Sequence, residues 1–524
     1  MEENNSITKI SQGLNVIKKN IQDIINLSNI LKTSLGPLGM DKVIRETRKN
    51  ILITNDGATI LDRAKIKGEI RKMIVELSMA QDNEIGDGTT GVVVLTGGLL
   101  EQAQKLLETG IHPVRICEGY EHASDICISY LEKISQIFDQ KLEIFQNLVK
   151  AAMTAMNSKI INRSKKKLAE ICVKAILAIA DLRRRDVNLE LIKIEGKIGG
   201  NLEKTTLING IIIDKEFSNP QMPKEIRDVR LSILTCPLEP AKPKAKHKIE
   251  IENIETYEDL EKVEQNYFRE MIDQIKTSGT NLVLCQWGFD DEGNHLLLRN
   301  KLSAVRWVSG AEIELLSVST GAQIVPRFNE ITTSTIGFAG RVRESNLGMN
   351  QERFLIIEDC PLSNSVTIFI RGNSDLIIEE AKRAIRDSLC VVKNLLKDSR
   401  IISGGGSSEM ACSVFIKEIA ETNLGIKHYI LGGFSEALKI IPIVLAENAG
   451  YSSIEILSNL FTRQISEKNI HLGIDSNGNG IDDMNKQNIY ETLISKQQQI
   501  QTATQMANTI LRIDDIISLE RDQN

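Results

Sequence analysis

Three short segments that combine glycine with an acidic residue carry the chemistry this sequence offers. Ser34-Leu35-Gly36-Pro37-Leu38-Gly39-Met40-Asp41-Lys42 ends a helical stretch, Thr54-Asn55-Asp56-Gly57-Ala58-Thr59 follows it, and Gly86-Asp87-Gly88-Thr89-Thr90 precedes a long apolar run. The third says most. The first N–H groups of a helix have no partner inside it, and its dipole draws anions. Gly86 and Gly88 would let the backbone approach a phosphate closely, and Thr89 and Thr90 would add hydroxyl donors. Asp87 would repel a bare phosphate, so its place makes sense with a cation between the two. A Mg²⁺ held by one carboxylate and by phosphate oxygens meets that need. A plainer account makes Asp87 the N-cap of the helix. Asp56-Gly57 is likewise a default hairpin turn whatever the function, and Gly404-Gly405-Gly406 reads equally well as a linker.

The elements that position these segments follow from periodicity. Leu14, Ile17, Ile21, Ile24, Ile25, Leu27, Ile30 and Leu31 recur at helical spacing over 11–34, and Gly36-Pro37 stops that helix. Two β-prone runs, 51–54 and 58–61, flank Asn55-Asp56-Gly57 and predict a hairpin. Helices are expected over 69–81, 89–108, 113–138, 143–156 and 164–180. From about 190 the pattern turns β-rich, then alternates strand and helix as in an α/β unit. Residues 236–248 are rich in Pro and Lys, and a charged amphipathic helix follows over 257–277. A strand at 366–371 and a helix at 374–397 lead to a helical last third, which ends in a helix at 489–510 and an edge strand at 511–514. The simplest reading is an α/β domain inserted between two halves of a helical one.

Composition narrows the function classes. The 524 residues hold 64 Lys and Arg against 70 Asp and Glu, a formal charge of −6, which does not suit a nucleic-acid binder. Neither G-x-x-x-x-G-K-[ST] nor a Rossmann G-x-G-x-x-G is present. The 8 cysteines form no C-x-x-C pair and the 6 histidines are scattered, so no zinc or redox spacing stands out. Met1–Thr8 is polar and acidic without a leader pattern, and no uninterrupted apolar run approaches the ~18 residues of a membrane span. A protein of the reducing cytoplasm is expected, with no membrane and no nucleic acid among its partners.

Taken together and in this order, the three segments resemble those of the group II chaperonins. Asn157-Ser158-Lys159, Glu379-Glu380-Ala381-Lys382-Arg383 leading into Asp387-Ser388-Leu389, and Gly404-Gly405-Gly406 with Glu409 match further family segments. So do Glu447-Asn448-Ala449-Gly450, Leu472-Gly473-Ile474-Asp475 and Leu511-Arg512-Ile513-Asp514-Asp515, and the likeness runs from about residue 10 to 516. Phe217–Pro223, Cys285–Asp291 and Val305–Val308 point to one subunit type of the eukaryotic cytosolic ring.

The resemblance implies a multi-domain α+β/α fold. A mainly helical equatorial ATPase domain would comprise 1–142 and 398–524, a small intermediate domain 143–205 and 366–397, and an α/β apical domain 206–365, with a helical protrusion at about 236–277. It implies a subunit of a double hetero-oligomeric ring of paralogues that folds unfolded clients, actin and tubulin among them, in a closed chamber driven by Mg-ATP hydrolysis. Carried over by position, Leu35, Gly36, Pro37, Gly88, Thr89 and Thr90 would line the phosphates and Asp87 would ligate Mg²⁺. Ser158 and Lys159 would lie near the terminal phosphate, Gly405 at the ribose, and Asp483, or its neighbour Asp482, at the ribose or adenine. Asp56 and Asp387 would flank the attacking water as catalytic carboxylates. Stretches 421–433 and 451–469 depart from the family pattern. Two rival readings are a ring subunit with weak ATPase and mainly structural or client-binding duty, and an unrelated nucleotide-using metabolic enzyme.

Overall fold

The computed structural model describes residues 7–12, 14–45, 51–64, 68–138, 144–156, 162–239, 254–347, 352–361, 365–476, 478 and 480–519. Ser158 and Lys159 lie outside the described residues, as does much of the Pro/Lys-rich segment. The chain forms two compact units, Met1–Val173 with Arg383–Asn524, and Lys174–Lys382.

The first unit is built from helices α1 (Leu14–Lys32), α2 (Gly57–Arg63), α3 (Glu69–Glu84), α4 (Thr89–Glu108), α5 (Pro113–Ile134) and α6 (Ile144–Ala155). Its axis is α4, in which every residue from Gly91 to Leu100 is buried. A helix apolar on all sides belongs at the centre of a core. Gly97 lets α1 pack closely on it, since a Cβ there would stand 2.3 Å from Ser28 Oγ. Lys42–Arg45 and Ile51–Thr54 pair as an antiparallel hairpin. The expected hairpin across Asp56-Gly57 is therefore corrected: Ala58–Leu61 is helical, in α2. Asp56 caps that helix by accepting from Thr59 N, while Ala58, Ile60 and Leu61 turn into the core. A side-chain cap with apolar residues on one helical face outweighs the β propensity of a four-residue run.

Helix α7 (Lys165–Ile179) carries the chain across the boundary at residue 173. The second unit holds a seven-stranded mixed sheet. Its order is Ser303–Val305, Leu282–Cys285, Glu225–Leu234, Gly337–Leu347, Glu352–Glu358, Gly210–Ile213, with Ile324–Val325 alongside the end of Glu225–Leu234. Helices α8 (Ile254–Thr277), α9 (Asp291–Arg299) and α10 (Gly310–Thr320) belong to this unit. Phe268, Met271, Ile272 and Ile275 of α8 pack into a core with the sheet residues Leu231, Leu284 and Val305. A separate small sheet joins Ile192–Ile198 in parallel to Val366–Gly372, which pairs with Thr206–Ile208 on its other side.

Helix α11 (Asp375–Lys397) spans the second boundary at residue 383. The last segment adds α12 (Ser407–Thr422), α13 (Ile426–Leu438), α14 (Ile440–Asn448), α15 (Ser453–Ser466) and α16 (Leu493–Leu511) to the first unit. The expected edge strand at 511–514 is also corrected. Ile510 and Leu511 are buried at the end of α16, and the strand begins at Asp515, pairing Asp515–Leu519 with Ile7–Gln12. Ile426–Asn448 is apolar and long enough to cross a membrane by length and composition, against the expectation that no stretch is. Here it is divided into α13 and α14, with Phe434, Leu438 and Val444 in the core.

Candidate functional site

The site grows from the turn before α4. Gly86 and Gly88 have φ of 70° and 75°, the left-handed region that glycine reaches without strain. Gly88, not Asp87, occupies the N-cap position, and no side chain caps the helix. The N-cap account of Asp87 is thereby excluded. Its carboxylate accepts instead from its neighbour Gly88 N at 2.7 Å. Burial pushes the Asp87 acid upward, while that N–H and the charge of Lys496 pull it back. Two left-handed glycines, an uncapped helix start and a partly buried carboxylate thus occupy one short turn. Gln81 fixes it from α3, donating Nε2 to Asp87 O at 3.2 Å and accepting at its own carbonyl from Ile85 and Gly86.

The structure brings the second segment to the same place. Thr89 Oγ1 donates to Asp56 Oδ1 at 3.3 Å. Beside it, a Cβ on Gly57 would stand 2.5 Å from Thr90 Oγ1 and 2.9 Å from Thr90 Cα, so only glycine admits this approach. Asp82, on α3, has its acid raised by burial first and by the charge of Asp56 next, with Arg386 opposing. Asp82 was not singled out from the sequence, because a carboxylate on a helix next to no glycine looks like ordinary solvated surface.

Asp387 approaches from α11. Asp387, Cys390 and Asn394 recur at helical spacing, and the latter two touch the turn. A Cβ on Gly86 would stand 2.3 Å from Cys390 Sγ, and Asn394 Nδ2 donates to Ile85 O at 3.0 Å. Burial, and after it the charge of Asp387, pushes the Cys390 thiol up to about 11. Asp387 therefore stands on the face of α11 that packs against the Gly86 turn.

The remaining segments are tied together by α14. At its C-terminal end, Asn448 Nδ2 donates to Lys32 O and Leu35 O, both at 2.8 Å, and so holds the end of α1 where Leu35-Gly36-Pro37 begins. Gly36, at φ 85°, leaves room for Leu445, whose Cδ2 would lie 2.4 Å from a Cβ. At its N-terminal end, Pro442 packs on Gly406, the N-cap of α12. Gly405, at φ 66°, lies against Met484 of the Leu472–Asp475/Gly480–Asp483 hairpin, and its carbonyl accepts from Ile474 N at 2.8 Å. Asp483 Oδ1 accepts from Asn485 N at 3.0 Å, while Asp482 Oδ2 accepts from Gln487 Nε2 at 2.7 Å. Glu409 in the first turn of α12 forms a buried pair with Lys496, which also meets the partly exposed Glu491. Lys496 Nζ lies 2.6 Å from Glu409 Oε1 and 2.5 Å from Glu491 Oε2. Sequence reasoning missed Lys496 and Glu491, which sit among residues with the pattern of an ordinary amphipathic helix start. Breaking such a buried pair by removing one partner costs about 3–5 kcal/mol.

The model of the TCP-1/cpn60 chaperonin family matches residues 27–521. The chain belongs to this family. T-complex protein 1 subunit epsilon of Encephalitozoon cuniculi (strain GB-M1) is 48% identical over 509 residues, covering 97% of this chain and 95% of the relative. A thermosome subunit of Methanothermococcus thermolithotrophicus is 34% identical over 511 residues, covering 98% and 92%. One from Methanocaldococcus jannaschii is 35% identical over 511 residues, covering 98% and 93%. The chain is a group II chaperonin subunit, an ATP hydrolase that assists protein folding, and such relatives imply a ring of related subunits. The metabolic-enzyme reading is set aside. The subunit type expected from the middle strings, epsilon, is the type of the 48%-identical relative.

Proposed function

We propose that this chaperonin subunit binds Mg-ATP at the start of α4 and hydrolyses it there, acting in a cytosolic hetero-oligomeric double ring at the epsilon position. The observation that carries the reading is the convergence of Asp56, the Asp87 turn and the Asp387 face of α11 at one uncapped helix N-terminus. Gly88, Thr89 and Thr90 line the phosphates, and the Leu35-Gly36-Pro37 loop closes over them from the end of α1. Gly405 and Asp483 take the ribose and base side. Ser158 and Lys159 act near the terminal phosphate.

Among the described residues no group of three or more His, Cys, Asp or Glu is placed to hold a metal by itself. One partly accessible carboxylate, Asp87, fits an ion that takes its other ligands from phosphate and water. Bound with the nucleotide, Mg²⁺ would offset phosphate charge. Asp56 and Asp387 orient the attacking water and accept its proton. Because α11 runs on past the boundary at residue 383, the placement of Asp387 responds to that helix, which would link hydrolysis to movement of the rest of the chain.

Division of residues 174–382 between an intermediate part and an apical part is supported by its two separate sheets. The apical part handles clients, with α8 in its protrusion. The test is photo-crosslinking of an azido-ATP analogue to this subunit in native rings. Wild type should be labelled in a Mg²⁺-dependent way and Asp87→Ala only weakly. Equal, Mg²⁺-independent labelling of both would overturn the site.

A further inference from the structure

Lys496 is 7% exposed, and both of its partners are carboxylates. The Lys496–Glu409 pair is buried, with Glu491 partly exposed beside it, and a buried ion pair needs a reason, since apolar residues of similar volume often fill such a space at no loss of stability. Its position supplies one. Glu409 begins α12 directly after the Gly404-Gly405-Gly406 turn, and its second oxygen accepts from Ser408 Oγ at 2.9 Å. Glu491 reaches the same turn from the other side: a Cβ on Gly404 would lie 3.1 Å from Glu491 Oε1. Ser495, the residue before Lys496, stands against Gly88, 3.5 Å from where its Cβ would be. Lys496 is thus the buried joint between two loops that approach the nucleotide from opposite sides, the Gly404–Gly406 turn and the Gly86–Thr90 turn.

We propose that Lys496 is a positioning residue for ATP turnover, locking these two glycine turns in register through Glu409 and Glu491. The inference rests on the nucleotide site proposed above and adds a residue that does not touch the nucleotide. The charge distribution agrees. The charge of Lys496 pulls down the acids of Asp87, Glu409 and Glu491, although burial leaves Asp87 and Glu491 raised on balance. Burial alone would lower the affinity of Lys496 for its proton, but the two carboxylates reverse this and hold it charged.

The experiment compares native rings carrying this subunit as wild type, Lys496→Met, Lys496→Arg and the charge-balanced pair Lys496→Met with Glu409→Gln, which removes the unpaired buried charge that the single change leaves on Glu409. Turnover, KM for ATP, azido-ATP labelling of this subunit and thermal midpoint are recorded for each. The expected result is a fall of roughly 100-fold in this subunit's kcat in both Met variants, the scale of a misplacement of ~1 Å. KM should rise less than kcat falls, and Lys496→Arg should recover much of the loss. A purely structural lysine would lower the thermal midpoint and leave per-ring kcat and KM unchanged, and that result would overturn the proposal. Unchanged kinetics in Asp87→Ala rings run alongside would instead show the nucleotide site itself to be wrong.

Discussion

The two units treat their special residues in opposite ways. Around α4 the first unit buries charge: Glu409 and Lys496 are at most 7% exposed, with Asp87 partly buried nearby. The second unit holds an exposed aromatic pair. Its Trp287 and Trp307, the chain's only 2 tryptophans, are 50% and 54% exposed. They meet edge to face just beyond the adjacent parallel strands Leu282–Cys285 and Ser303–Val305. Trp307 holds a φ of 59°, strained for so large a side chain, with its ring over Gly288. Phe338 on a neighbouring part of the same sheet is 52% exposed. A small anion of fixed shape calls for fixed dipoles and glycine turns, whereas unfolded chains of many shapes call for accessible apolar surface. On the reading proposed above, the first unit carries the chemistry and the second meets clients.

The comparison breaks hardest at Asp87. Asp87→Ala should lower this subunit's turnover by roughly 100–1,000-fold, measured as phosphate release from native rings, with clients still captured. Asp387→Ala should cost about 100-fold in the same assay, the lower end for a group that handles a proton, while azido-ATP labelling persists. Equal loss of labelling in both variants would mean that Asp387 binds nucleotide and does not act on water.

Acidity sharpens the contrast next. Burial raises the Asp87 acid above its ordinary 3.8, so the folded chain takes this proton more readily than the unfolded one. On that account, stability from this group grows as pH falls through the window between 3.8 and the raised value. Mg-ATP binding should weaken over the same window, because the ligand is the carboxylate. Titration calorimetry and melting curves recorded together should therefore move in opposite directions with pH, which a simple acid unfolding would not produce. Gly86→Ala tests packing in place of charge. The positive φ and the 2.3 Å approach to Cys390 Sγ predict a loss of about 1–3 kcal/mol in the stability of the first unit. The smallest expected effect on turnover belongs to the other unit. Trp287→Ala with Trp307→Ala should leave ATP hydrolysis within about twofold, as for a change away from the chemistry, and should reduce retention of a denatured client on the rings.

Much of the first unit was legible because its motifs are backbone requirements. Gly36, Gly86, Gly88 and Gly405 all hold positive φ, and the sequence announced each of them. Helix α4 was read to the residue, since its apolar run and glycine start leave no alternative. What escaped was set by partners distant in the chain. Asp56-Gly57 looked like a turn between strands because nothing local shows that Thr89 and Thr90 come to meet it. The first strand, Ile7–Gln12, exists through its pairing with Asp515–Leu519 at the far end of the chain. Lys496 gave no signal because a buried ion pair and a solvated lysine share the same helical pattern. In the second unit the β-rich onset near 190 and the strand at 366–371 were visible, but the long antiparallel pair Gly337–Leu347 and Glu352–Glu358 was not, nor was the exposure of Trp287 and Trp307, since tryptophan most often signals core.

The most direct test of the central claim is ATP turnover by native rings purified through a tag on this chain, wild type beside Asp87→Ala with Asp387→Ala, with native mass and subunit content measured on the same sample. A very large ring of several related subunits whose turnover falls in the double variant is the predicted result. An intact ring with unchanged turnover would contradict hydrolysis at this site and leave the subunit a structural or client-binding role.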